Sequence, residues 1–172
     1  MLECHRIAAG RAWGAALALV CVLGCASSPD LPAQDPATRR IEIEVLRLTN
    51  AYRRSQSLPP LREAPALAGL ARGHSGDLAR RRPTHVDHLG FMNRFERASK
   101  SIALISFSEN VARMGRKRPR PANWVVDSWV ASAIHRKNIE GDYDVVGVGV
   151  FRREDGYYFF TQIFGGVAER SR

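Results

Sequence analysis

"DVVGVGVFRREDGYYFFTQIFGG", residues 144–166, reads as two strands and the turn between them. Val145, Val146, Val148 and Val150 are β-branched, and the run from Tyr157 to Phe160 is wholly aromatic. Side chains of both kinds fit a pleated, half-buried surface. Glu154-Asp155-Gly156 is a short polar break ending in glycine, the composition of a hairpin turn. A lone hairpin is marginal in water and needs a partner surface.

The chain before it supplies helices. "RRIEIEVLRLTNAYRRSQ", 39–56, puts Ile41, Val45, Leu48 and Tyr52 on one stripe, and "SLPPL" breaks it. "APALAGLARGHSGDLARR", 64–81, carries Pro65 in its first turn, with Leu67, Leu70, Ala71, His74 and Leu78 on a common face. "PTHVDHLGFMNRFERAS", 83–99, is a loop feeding a short helix. "SIALISFSENVARMG", 101–115, is apolar and partly alternating, so it is extended. "ANWVVDSWVASAIHRK", 122–137, is a third long helix, with Trp124 and Trp129 at helical spacing as core and His135 at the seam before the strand. Helices followed by a hairpin predict an α+β domain with helices packed on a small antiparallel sheet.

With 172 residues, 45% of them hydrophobic and 25% charged, the chain suits one ordinary domain. Its formal charge of +9 is carried by 23 arginines and 3 lysines. Such a surface attracts anionic partners. The N-terminus names the compartment. Arg6 and Arg11 precede the apolar run "AWGAALALVCVLG", which is too short to span a bilayer comfortably. "VLGC", 22–25, resembles a bacterial lipobox, which makes Cys25 the lipidated residue. An ordinary secretory cleavage after Ala26 and an uncleaved anchor are the alternatives, and all three export the protein. Cys4, Cys21 and Cys25 all lie in this region, so the domain itself has no disulfide. Residues 1–24 are thus a lipoprotein-type signal peptide, 25–38 a flexible Ser/Pro/Asp/Ala tether, and 39–169 the domain. Export and the lack of a recognition motif exclude nucleic acid as the partner.

Seven segments then stand in a known order: "LTNAYRR…LPPL", "LARGHSGDLA", "HLGFMNRF", "SENVA", "SWVASAIHRKNI", "VVGVGV" and "YYFFTQIFG". Together, over residues 41–166, they resemble the CAP superfamily: cysteine-rich secretory proteins, antigen 5 and pathogenesis-related proteins, with the SCP domain. The likeness is to the short bacterial branch. The resemblance implies a three-layer α-β-α sandwich and a cleft lined by two His and two Glu. It carries over onto His88 in "HLGF", Glu109 in "SENVA", where Ser108 replaces a Gly, and His135. The second Glu falls on Ser132, so the tetrad is reduced to His88, Glu109 and His135. These three are the candidate catalytic residues, and His88 and His135 the candidate metal ligands, with Glu109 as a third donor.

Two neutral imidazoles and a carboxylate suit zinc or another divalent metal, weakly bound, with a position left for water. The sequence spacing does not itself indicate a metal. A metal-free hydrolase would need Ser132 or Ser128 as nucleophile with a His base, yet no nucleophile elbow is present. His74 reads as a core or cleft-floor histidine bonded to backbone. His85, three residues before His88, competes with it for the cleft position. Asn110 reads as pinning the adjacent loop. "RMGRKRPRP", 113–121, holds five cations. It is either a solvated loop or a contact for lipopolysaccharide, phospholipid or acidic glycan. The expectation is an exported cell-envelope lipoprotein, on the outer membrane or the periplasmic face, whose cleft binds a glycan, lipid or protein without catalysis. The alternatives are a hydrolase, protease-like or acting on an envelope polymer, and a lipid or sterol carrier.

Overall fold

The computed structural model describes residues 35–81, 85–116 and 118–168. The signal peptide 1–24, Cys25, the tether as far as residue 34, residues 82–84, Lys117 and residues 169–172 lie outside the described residues. The hairpin forms where the sequence places it, as β3 (Val145–Arg152) and β4 (Tyr158–Val167). They pair antiparallel from Val145↔Gly165 to Arg152↔Tyr158. Gly156 closes the turn at φ +86°, a conformation that costs glycine little.

The extended segment is β2 (Leu104–Met114), antiparallel to the other side of β4. A two-residue strand, β1 (Arg62–Glu63), adds a parallel pair to β3; a run so short carries no periodicity by which to detect it. The sheet order is β1-β3-β4-β2, which leaves β2 on an edge.

Among the described residues, five helices cover the two faces: α1 (Pro36–Ser55), α2 (Pro65–Arg81), α3 (Phe91–Ser99), α4 (Pro121–Ala131) and α5 (Ala133–Glu140). Alternation along the strands sorts the core. Val146, Val148, Val150, Phe160 and Phe164 meet Val45 of α1, Val125 and Trp129 of α4 and Ile139 of α5. Val145 and Ile163 face the other way, onto Leu67 and Ala71 of α2 and Ala98 of α3. The result is an α-β-α sandwich. Gly147 and Gly149 explain how closely its layers approach. A Cβ at either would overlap α2 backbone, at Leu67–Ala68 and Ala71–Arg72, so the helix lies directly on the strand there.

Two helices differ from the sequence reading. α1 starts at Pro36, so residues 36–38 of the stretch read as tether form its first turn. Asp35 caps it, accepting from the amides of Ala37 at 3.0 Å and Thr38 at 3.3 Å. Its buried face is also more polar than the stripe implied. Glu42 accepts from Val150 N at 3.0 Å, and Arg53 donates to the carbonyls of Ile139 (2.6 Å) and Gly141 (2.9 Å).

The third long helix is two helices. Ser132 is extended (φ −93°, ψ 119°) and separates α4 from α5. Ser132 makes no side-chain cap bond; its hydroxyl meets the His135 ring instead. His135 therefore lies inside α5, not at the seam before β3. Among the described residues no helix is long and apolar enough to cross a membrane.

Candidate functional site

Successive residues of a strand point to opposite faces. On the edge strand β2 this rule divides two neighbours, Glu109 and Asn110, between the two helical layers. Glu109 turns toward α2 and α3. Asn110 turns toward α5. Each holds one of the two candidate histidines.

Glu109 has no side-chain exposure. Its Oε1 accepts from His88 Nδ1 at 2.8 Å and from Arg94 Nη2 at 2.8 Å, and its Oε2 accepts from Arg94 Nε at 2.7 Å. Burial alone would raise its pKa. The bonds from His88 and Arg94 outweigh that and hold the carboxyl below its ordinary value. His88 lies on the loop before α3 with its ring 52% exposed. With Nδ1 donating to the carboxylate, Nε2 is the ring nitrogen left for another partner. Asp87 shapes this loop, accepting from Leu89 N at 3.0 Å and from both terminal nitrogens of Arg81 at 2.7 and 3.0 Å.

His74 sits beneath. It is buried, with Nδ1 3.2 Å from Thr161 Oγ1 and 3.8 Å from Glu109 Oε2. Ser75 Oγ donates to Gly149 O at 2.9 Å and lies 2.9 Å from the same Thr161 hydroxyl. Burial, against the pull of Glu109, lowers His74 to about 4, so it is neutral at physiological pH. It is a buried histidine, the core half of the sequence reading, bonded to a side chain where backbone was expected.

On the other layer, Asn110 Nδ2 donates to the carbonyl of His135 at 3.1 Å, and Asn138 Nδ2 donates to Asn110 Oδ1 at 2.9 Å. Asn138 also donates to the Glu109 carbonyl at 3.2 Å. Asn110 thus pins a helix, where the sequence suggested a loop. His135 Nδ1 lies 2.9 Å from Ser132 Oγ. The position at which the second acidic residue is missing therefore supplies a hydroxyl to the histidine instead. Burial, and then the nearby charge of His88, push His135 below the ordinary imidazole value.

His85 is exposed on the His88 loop. Ser128 Oγ is turned back onto Trp124 O at 2.7 Å. Trp129 is buried, and Trp124 packs partly against the same core. Sequence reasoning missed Arg94, although a signal existed. Arg94 shares a face of α3 with Phe91 and Ala98, so a cation was already aimed inward.

Among the described residues, no group of three or more His, Cys, Asp or Glu stands close enough to hold a metal ion together. Glu109 is committed to three donors. Glu109 and Ser132 each hold one imidazole on its Nδ1 side.

Comparison with known proteins agrees with this architecture. The chain is 33% identical over 131 residues to the uncharacterized protein YkwD of Bacillus subtilis, a stretch that is 72% of this chain. It spans about half, 47%, of that relative's length. The fold is similar to an outer surface protein of Borrelia burgdorferi (TM-score 0.65, 20% identity, covering 76% of this chain and 95% of the other). It is also similar to an extracellular SCP-domain protein of Bacillus anthracis (TM-score 0.63, 24% identity, covering 78% and 45%). The model of the CAP family, the cysteine-rich secretory protein family, matches residues 46–164, and the chain belongs to that family.

Proposed function

We propose that this chain is an exported bacterial envelope protein whose CAP domain is a binding module, with His88 and His135 as its recognition groups. One observation carries the reading: the polar machinery is built to hold two imidazoles still. Glu109, gripped by Arg94, fixes the Nδ1 side of His88, and Ser132 fixes that of His135. The carboxylate and the hydroxyl thus serve different rings, which is not the single serine–histidine–acid relay of a hydrolase. Exposed apolar side chains adjoin both histidines in sequence: Leu89 (68% exposed) next to His88, and Ile134 (78%) next to His135. A ligand with an apolar portion and a hydrogen-bonding or metal-binding group suits such walls. The outer-surface and extracellular descriptions of the two bacterial neighbours support export, as does the lipobox-like "VLGC" ending at Cys25.

We infer weak binding of zinc or another divalent ion by the imidazoles of His88 and His135, weak because two ligands leave most of the coordination shell to water. A bound ion would supply Lewis acidity and a water of lowered pKa to whatever the cleft holds.

The test is zinc titration by calorimetry on wild type and on His88→Ala/His135→Ala, together with turnover assays on protein and envelope-polymer substrates. Weak binding lost in the double variant, with no turnover by wild type, is the expected result. Turnover abolished by the double variant would establish the hydrolase instead.

A further inference from the structure

We propose that the hairpin end of the domain, built by Arg116 and Arg118 together with Arg153 and Tyr157, docks onto a bilayer containing anionic phospholipid. The β2–α4 loop and the β3–β4 turn meet here, with Arg116 against Gly156. The guanidinium carbons of Arg113, Arg116 and Arg153 lie 5.6, 5.2 and 5.2 Å from the centroid of one ring, Tyr157. Arg118 lies 5.6 Å from the Trp124 ring. Holding several like charges around one ring costs Coulomb energy. Asp155 gives both oxygens to Arg153, at 2.8 and 2.7 Å, and residues 113–121 contain five cations and no acid. Contact with a ring face uses no N–H donor, so the forks of Arg116 and Arg118 can still meet phosphate oxygens, which they match bidentately. Arg120, in the left-handed region at φ 52°, keeps this loop in a conformation that a side-chain-bearing residue seldom adopts.

The course of α1 selects a membrane over other polyanions. Its C-terminal half meets the start of β3, through Arg53 and the carbonyls of Ile139 and Gly141. Its N-terminal half meets the end of β3, through Glu42 and Val150 N. The chain therefore arrives from the N-terminus at the hairpin end of the sheet. A lipid on Cys25 would bring this end, with its arginines, toward the headgroups. To this extent the choice of a membrane rests on the lipoprotein reading, but the test does not.

Ala33–Arg172 forms a compact unit containing every core cluster, and it lacks Cys25. This unit is sedimented with vesicles of phosphatidylcholine alone or mixed with phosphatidylglycerol. Arg116→Glu/Arg118→Glu is compared with Arg54→Glu/Arg62→Glu, an equal charge change at the start of β3. The expected result is binding to the anionic vesicles only, weakening with salt, and reduced about tenfold or more in the first variant while the second retains it. Thermal melts of both variants matching wild type show that the fold is kept. Equal affinity for both vesicle types, or equal loss in both variants, overturns the proposal. So does capture by dextran sulfate without vesicle binding. Mass analysis of Cys25 in the full chain tests the anchor separately, so either idea can fail alone.

Discussion

A carboxylate with no exposed surface needs donors, and Glu109 has three, one from His88 and two from Arg94. Arg94 is itself nearly buried, with 8% of its side chain exposed. Removing one partner strands the other charge, which typically costs about 3–5 kcal/mol. Glu109→Ala should lose that much in a urea melt, and so should Arg94→Ala. His74 makes a second prediction. Its folded value of about 4 lies below its ordinary 6.5. Between those values the unfolded chain binds the proton and the folded chain does not. Stability is therefore complete above pH ~6.5 and falls by up to about 3 kcal/mol as pH drops toward ~4. His135 is lowered too and adds the same sign. Glu109 is depressed below its ordinary carboxylate value, so its loss comes at lower pH. Melting temperature against pH should show this slope, and His74→Gln should flatten most of it. At this scale the sequence was partly legible. His88, Glu109 and His135 were named as candidates through a resemblance of ordered motifs, and the His88–Glu109 bond is present. Arg94 was not, because in a chain with 23 arginines one more cation draws no notice.

At the element scale, local chemistry and packing left different traces in the sequence. The β3–β4 hairpin was legible because β-branched and aromatic residues flank a glycine turn. The break at Ser132 was not, because Ala131, Ala133 and Ile134 around it all accept helix. What decides the break is tertiary. α5 must turn so that the His135 carbonyl and Asn138 can bond across to Asn110 and Glu109 of β2. The Val-Gly-Val-Gly-Val pattern likewise encodes a contact as much as a strand. Gly149→Ala would drive a methyl into the backbone of Ala71 and Arg72, which cannot yield as a side chain tip does. A loss at the upper end of the roughly 1–3 kcal/mol range for overpacking, or failure to fold, is expected. Gly73, on the exposed side of the same helix, has nothing within 4 Å of a built Cβ. Gly73→Ala should instead stabilise by about 0.4–1 kcal/mol through helix propensity and a less flexible unfolded chain. Paired thermal melts check both signs.

Across the whole molecule, the two helical layers are tied together at one edge strand. Two consecutive residues of β2 hold the two walls: Glu109 grips α3 and His88 from one face, and Asn110 grips α5 from the other. The walls should then loosen independently. Asn110→Ala removes the bonds to His135 O and Asn138 Nδ2 in a fully buried position. Leaving such groups unpaired costs about 1–3 kcal/mol. Because α5 is short and has only Ile139 fully in the core, that cost should appear as local opening and not as global unfolding. Hydrogen exchange should quicken in α5 amides while α2 and the β3–β4 ladder keep wild-type protection. Glu109→Ala should do the reverse, exposing α3 and the His88 loop and sparing α5. Quickening of both walls in either variant would mean that the two walls are one cooperative unit and that β2 transmits between the layers.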